Sequence, residues 1–280
     1  MNLLSVALAA LFTVESAGDA RLSAPAAPPP VARSELRLES RLPSPSQPVP
    51  VSQLVARIDQ LHRRRDDRVA FAEEQTLVQT TLARAPQDFG VLWRAARYYF
   101  WLSDDPGLSK EDRSRFGKDG WDIAERAIVA NPNHVAGYYW AAVCMGNYAL
   151  GLGVMKALSQ GMEGKFRDRL SRAEKLDGRI EFGAIEVAWG RFFDKLPWPK
   201  RDRDAAEQHF RRAIALNGAN LRARVYLASS YLDQDRPADA KRLLDEVVAA
   251  PAAGRYDGPE ERRCKAIAVG LMTTATSQLK

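Results

Sequence analysis

What most restricts this chain is where its helices must stop. ARAPQ closes on Pro86, VANPN on Pro132, KLDG on Gly178, ALNG on Gly218 and VAAP on Pro251, at intervals of 46, 46, 40 and 33 residues. Proline beyond a helix cannot continue it, and glycine accepts the left-handed backbone that ends one, so both mark the same event. Five residues before three of these breakers stands an alanine: Ala127, Ala173 and Ala213. Three residues before those stand Ala124, Leu170 and Phe210. Between breakers the apolar residues recur at helical spacing, and no alternating segment of strand type is convincing. The expectation is an all-α chain of repeated helical hairpins.

The last unit sharpens this. Leu227, Ala228, Tyr231, Ala240, Leu244 and Val247 have the spacings of the tetratricopeptide pattern. In that pattern a small residue lets the partner helix approach, and an aromatic fills the groove between units. The preceding unit repeats it in Trp189, Gly190, Phe193, Ala206, Phe210 and Ala213, with a longer loop at 196–203 (LPWPKRDR). The unit ending at Pro132 follows more loosely through Ala96, Tyr99 and Ala127. No hairpin of this kind buries its apolar face alone, so the units must stack. We therefore expect a tetratricopeptide-like stack of about five hairpins plus a C-terminal capping helix at Pro259–Lys280. Cys264, Ile267, Ala268 and Leu271 form the apolar stripe of that helix, and Glu260, Glu261, Arg262 and Lys265 its solvated face.

One hairpin stands out. Asn133–Gly178 has an aromatic and small-residue first half, a Gly-rich turn and a charged, amphipathic second half. Tyr138, Ala141 and Ala142 fall at its packing positions.

Ahead of the repeats the composition changes. The apolar run Leu3–Val14 followed by ESAGDA resembles a secretory signal peptide cut after Ala17 or Ala20, although no Lys or Arg precedes it. Eight of the 16 prolines lie between Pro25 and Pro50. So many fixed φ angles, with few large apolar groups, predict a flexible tether. The expected organisation is thus a signal peptide at 1–20, a Pro/Ala-rich linker at 21–50 and the repeat domain at 51–280, in a periplasmic or secreted protein.

The net charge of +6 comes from 41 basic and 35 acidic residues that are interspersed. That balance does not point to nucleic acid. Cys144 and Cys264 lie in apolar helical patterns without metal spacing and read as buried free thiols, with a bridge between them left open for an oxidising compartment. No run reaches the length of a bilayer span. The charge run HRRRDDR (62–68) reads as a solvated turn.

No catalytic pattern emerges. His62, His134 and His209 lie far apart in the sequence, and capping or solvated roles suit them better than metal ligation. The acidic pairs Asp66-Asp67, Glu73-Glu74 and Asp104-Asp105 fall in turns or first helical turns, where acids favour the helix dipole. There is no GxSxG, P-loop or GxGxxG, and Gly151–Gly153 has no preceding strand to form a dinucleotide cradle. A non-enzymatic chain without cofactor or metal is expected.

Binding would then use the concave side, which the first helix of each hairpin lines. The register places Trp93, Arg97, Phe100 and Trp101 there, then Tyr139, Val143 and Asn147, then Arg222, with Arg191 a further addition. Aromatics with arginines are the composition of protein interfaces. Trp198, between Pro197 and Pro199, is a second candidate contact, because a rigid loop presents its ring at little entropic cost. The main reading is a protein-binding scaffold. The alternative is a carrier of an apolar small molecule in a pocket between hairpins, formed by the Gly-rich turn and the aromatic lining.

The central hairpin, the LPWP loop, AAEQHFRRAIAL and LRARVYLASSYL together resemble the TatT-type proteins, periplasmic tetratricopeptide-like components associated with TRAP transporters. Eukaryotic regulators of microtubule dynamics show a similar cryptic pattern. The first resemblance implies an accessory role in a solute transport system, a transporter's substrate-binding protein as partner, and self-association. Members of that kind are often lipoproteins, and this chain lacks the lipobox cysteine.

Overall fold

Each of the five breakers follows the end of a helix by one or two residues. The structure, a computed structural model, describes residues 49–251 and 257–280. The expected signal peptide and all but the last two residues of the Pro/Ala-rich linker lie outside these. Helix α1 (Val51–His62) pairs with α2 (Arg68–Arg84), and α3 (Phe89–Ser103) with α4 (Lys110–Ala130). The central hairpin joins α5 (Val135–Leu152) to α7 (Met162–Asp177), with the short α6 (Val154–Ser159) inserted at its turn. After a 3₁₀ turn (Ile180–Phe182) come α8 (Ala184–Lys195) with α9 (Arg203–Leu216), then α10 (Leu221–Leu232) with α11 (Pro237–Ala249). Helix α12 (Gly258–Gln278) packs on α10 and α11. Among the described residues there is no strand, and the fold is the expected all-α tetratricopeptide-like stack of five hairpins and a terminal helix.

The helix starts are set by side chains that accept the unpaired backbone N–H groups of the first turn. Asp67, Asp88, Ser109, Asp202, Asn220 and Asp257 do this for α2, α3, α4, α9, α10 and α12. His134 does it for α5, its Nδ1 accepting from the Ala136 N–H at 3.1 Å. A cap of this kind contributes about 0.5–2 kcal/mol.

Packing follows the repeat positions. Leu227, Ala228, Tyr231, Ala240, Leu244 and Val247 are each at most 1% exposed. Gly190 is small for a reason: a Cβ there would stand 2.6 Å from the Phe210 ring, so α8 and α9 approach only because it has none. Buried apolar side chains form two clusters that meet on α8, with Ile185, Ala188 and Trp189 in the first and Val187 in the second.

The first helices touch in succession, α1 on α3, α3 on α5, α5 on α8 and α8 on α10, and make the inner wall. That wall curls until its two ends meet. Arg65 Nη2 donates to Asp257 at 2.5 Å, Arg262 to Asp66, and Arg222 Nη1 to Asp104 at 2.7 Å, pairs separated by 192, 196 and 118 residues.

Several local expectations need correcting. HRRRDDR is not simply a solvated turn, because His62 and Arg65 are buried. Glu74 does not sit in a first helical turn but in the middle of α2, and it is fully buried. The polar side of α12 is not all solvated: Glu261 is buried, and Glu260 is bound to Arg222. The physical reason is shared, since His62 and Glu74, Arg65 and Asp257, and Glu260 and Arg222 each pair across different helices or loops, 12 to 192 residues apart. Cys144 and Cys264 are free and buried, and burial raises both thiols. No helix among the described residues is long and apolar enough to cross a membrane.

Candidate functional site

The inner wall encloses a polar cavity of about 590 Å³, lined from α1, α3, α5, α8, the start of α10 and the start of α12. Trp93, Arg97, Phe100, Trp101, Tyr139 and Arg222, all placed on the concave side by the sequence register, line it. It also holds residues that the sequence register did not place on the concave side: Asp59, His62, Arg63, Arg65, Glu181, Asp257 and Glu260. Glu181 adopts the left-handed backbone (φ 49°) unusual for a non-glycine residue.

Most of these charges are committed to one another. Arg94 donates to both oxygens of Asp59 at 2.7–3.0 Å, and Arg97 Nη2 to Asp59 Oδ1 at 2.7 Å. Burial alone would raise the Asp59 carboxyl, but these two arginines hold it below its ordinary value. Arg222 grips Glu260 with two nitrogens at 2.5 and 2.6 Å and also donates to the Tyr226 hydroxyl at 2.9 Å. Burial opposes the charge on Glu260, yet Arg222 keeps its carboxyl at about 2. Arg63 is the exception: it is exposed and makes no ion pair among the described residues.

The aromatic rings are committed as well. The guanidinium of Arg94 lies 4.2 Å, and that of Arg97 5.0 Å, from the centre of the Trp93 ring. Arg65 and Arg263 approach the Trp101 ring at 4.2 and 3.1 Å. Such contacts contribute about 0.5–2 kcal/mol each, more when desolvated. Arginine and tryptophan thus shape this groove by holding each other.

Behind Asp59 and Arg97 lies a buried acid–base pair. Glu74 Oε1 is 2.8 Å from His62 Nδ1. Burial raises the Glu74 carboxyl to about 7 and, with the charges of Arg97 and Arg65, pushes His62 well below its usual range. Both directions favour the neutral pair, in which the Glu74 hydroxyl donates to the imidazole.

A second, smaller cavity of about 160 Å³ lies between α5, α6, α7 and α8. Phe100, Tyr139, Ala184, Val187 and Arg222 line both cavities and form their common wall. Val143, Asn147 and Arg191 line the smaller one. Asn147 Nδ2 donates to Ser103 Oγ at 3.0 Å, and Arg191 lies 4.4 Å from the Tyr226 ring centre. Nine of the ten candidate residues thus line one cavity or the other. Trp198 does not: it stands 88% exposed on the loop between α8 and α9.

His209 Nδ1 pairs with Glu186 at 2.7 Å and its ring stacks on Trp189 and Phe193, so it is half-buried rather than on the outside. Among the described residues no three His, Cys, Asp or Glu side chains come together in a way that could hold a metal ion. The pairings of Asp59, Arg65 and Glu74 were not legible in the sequence because their partners lie 12 to 192 residues away. The only signal was their position on the helical stripe, with Glu74 four residues before Val78 and Asp59 next to Ile58.

The family described as regulator of microtubule dynamics protein 1-3 matches residues 54–179, which span α1 to α7. A tetratricopeptide repeat family matches residues 200–257, from α9 to α11. The chain is similar to regulator of microtubule dynamics protein 1 of Caenorhabditis elegans, at 22% identity over 193 residues, 63% of this chain and 83% of that protein. In fold it is similar to a thermophilic tetratricopeptide-repeat protein of Thermus thermophilus, with a TM-score of 0.56 and 17% identity over 80% of this chain and all of that one. These likenesses overturn the periplasmic or secreted localisation. The apolar N-terminal run suggested export, but the family and the relative that match are described as regulators of microtubule dynamics and not as exported proteins. The accessory role in solute transport, with a substrate-binding protein as partner, finds no support among them.

Proposed function

We propose that this tetratricopeptide-like chain is a non-catalytic scaffold that holds an extended segment of a partner protein in its concave groove. One observation carries the reading: the cavity of about 590 Å³ is walled by the first helix of every hairpin and closed by α12. A groove bounded on that side suits an extended segment better than a folded domain. Most of its titratable groups are paired, as in Arg97–Asp59, Arg222–Glu260 and His62–Glu74, as befits a wall that is preorganised rather than reactive. The likeness to regulators of microtubule dynamics supports a partner in the microtubule system.

The volume of the smaller cavity weighs against the carrier reading. An engineered cavity of about 150 Å³ takes benzene, so about 160 Å³ suits one ring or one branched side chain and not a bulky apolar cargo.

Photo-crosslinking tests the scaffold. A benzophenone amino acid placed at Arg63, exposed in the groove, should yield partner adducts in cells that express the chain, while the same probe at Val129, 85% exposed on α4, should not. Equal adducts from both positions, or none from Arg63, would overturn the groove assignment. Co-sedimentation of the full chain with microtubules assembled from purified tubulin tests the partner separately.

A further inference from the structure

The smaller cavity has a chemical character the groove lacks. Its body is apolar, built by Val143, Val154, Leu158, Phe166 and Phe192, and its size is that of one large side chain. It adjoins the groove across the shared wall of Phe100, Tyr139 and Val187. Its rim is biased to positive charge: Arg113, Arg191, Lys195 and Arg222 line it, against Asp104 and Glu163.

These cations are not equally occupied. Arg222 is held by Asp104 and Glu260, and Lys195 by Asp194 at 2.7 Å. Arg113 instead donates to two backbone carbonyls, those of Ser103 and Asp105, at 2.9 and 2.8 Å, and meets no carboxylate within ion-pair distance among the described residues. A guanidinium fixed by neutral acceptors keeps its full charge available to an incoming anion.

We propose that this cavity is an anchor site that takes one large apolar side chain (Phe, Leu or Met) of an extended partner segment, with an acidic residue beside the anchor facing Arg113. The proposal rests on the scaffold reading and names the chemistry of the segment. A buried anchor in a preformed pocket is where a peptide interface concentrates its affinity, and the groove supplies the length on either side.

Display of short random peptides on phage against the full chain tests it. Sequences enriched on the wild type should share one Phe, Leu or Met next to Asp or Glu. Replacing that anchor by Ala in an enriched peptide should weaken binding about tenfold or more. Ala188→Leu, which fills the cavity from α8, should weaken it to a similar degree. Arg113→Gln leaves the cavity open and should erase only the preference for the acidic neighbour, which keeps the test valid should Ala188→Leu disturb the fold. Enriched peptides without a common apolar position, or equal binding to the filled variant, would overturn the anchor, and so would no enrichment at all. If such peptides are still lost on Arg63→Glu, the anchor fails while the groove reading stands. If they are insensitive to both changes, both fail.

Discussion

The guanidinium carbon of Arg263 lies 3.1 Å from the centre of the Trp101 ring, joining the last helix of the chain to the second hairpin. Arg263 Nη1 also donates to the Trp101 carbonyl at 3.1 Å, and Arg65 reaches the same ring from the loop after α1. Trp101 is therefore the point at which both ends of the stack converge. The groove beside it has a fixed width because its two ends are tied, and a stack tied in this way can present a preorganised wall.

Removing that tie should loosen the end of the stack without melting its middle. Arg263→Met abolishes the cation–ring contact and one hydrogen bond, while Arg222 remains to neutralise Asp104. The expected loss is about 1–2 kcal/mol. Hydrogen exchange should accelerate in α12 and stay unchanged in α3–α5. Exchange that rises uniformly along the chain would show that the contact is no latch.

The buried pair of Glu74 and His62 gives the fold a defined pH response. Above 4.5, the ordinary value for glutamate, the unfolded chain releases the Glu74 proton, whereas the folded chain keeps it until about 7. This contribution to stability therefore falls as pH rises across that window. His62 acts in the opposite sense: below 6.5 the unfolded chain binds a proton that the folded chain refuses, so its contribution is lost as pH falls. Between 4.5 and 6.5 the two slopes oppose each other, and above 6.5 only the glutamate acts. Glu74→Gln keeps a polar partner for the imidazole and removes the titration. Its stability relative to the wild type should rise by roughly 1–2 kcal/mol between about pH 5.5 and pH 8. Urea midpoints at the two pH values check this, and a constant difference would exclude it.

Which parts of this architecture could be read from the sequence follows from the range of the interactions. Helix ends at Pro86, Pro132, Gly178, Gly218 and Pro251 are set by local backbone chemistry, and so they were legible. The repeat register was legible for a similar reason, because Gly190 and Ala213 sit where only small side chains fit against the neighbouring helix. The wall residues were legible by type and side. Their occupation was not: that Arg97 holds Asp59 and covers Trp93 depends on α1 and α3 lying together, and a row of residue types does not encode this. HRRRDDR misled because six of its seven residues are charged, while burial depends on α12 folding back over it.

Two glycines should respond oppositely to the same change. Gly190→Ala puts a methyl 2.6 Å from the Phe210 ring, which the packed α8–α9 interface cannot easily yield. A cost of about 1–3 kcal/mol from overpacking exceeds the helix propensity gained. Gly164→Ala adds a methyl to α7 where nothing lies within 4 Å, and should stabilise by about 0.5–1 kcal/mol. Denaturant midpoints of the two variants should fall on either side of the wild type. Two shifts of the same sign would refute the packing account.

Trp198 separates stability from recognition most cleanly. Its ring is 88% exposed and lines neither cavity, while the loop that carries it is anchored at Lys200, which pairs with Glu163, and at Arg201, whose Nε donates to the Leu196 carbonyl at 2.9 Å. Replacing the ring therefore removes almost no folded-state contact, and Trp198→Ser should leave the unfolding midpoint within about 0.5 kcal/mol of the wild type. If the loop is a second contact for the partner, the same variant should reduce co-purification with any protein crosslinked through Arg63, because an exposed aromatic on a rigid loop contributes mainly by the area it buries on binding. Unchanged co-purification would remove Trp198 from the interface and confine recognition to the groove.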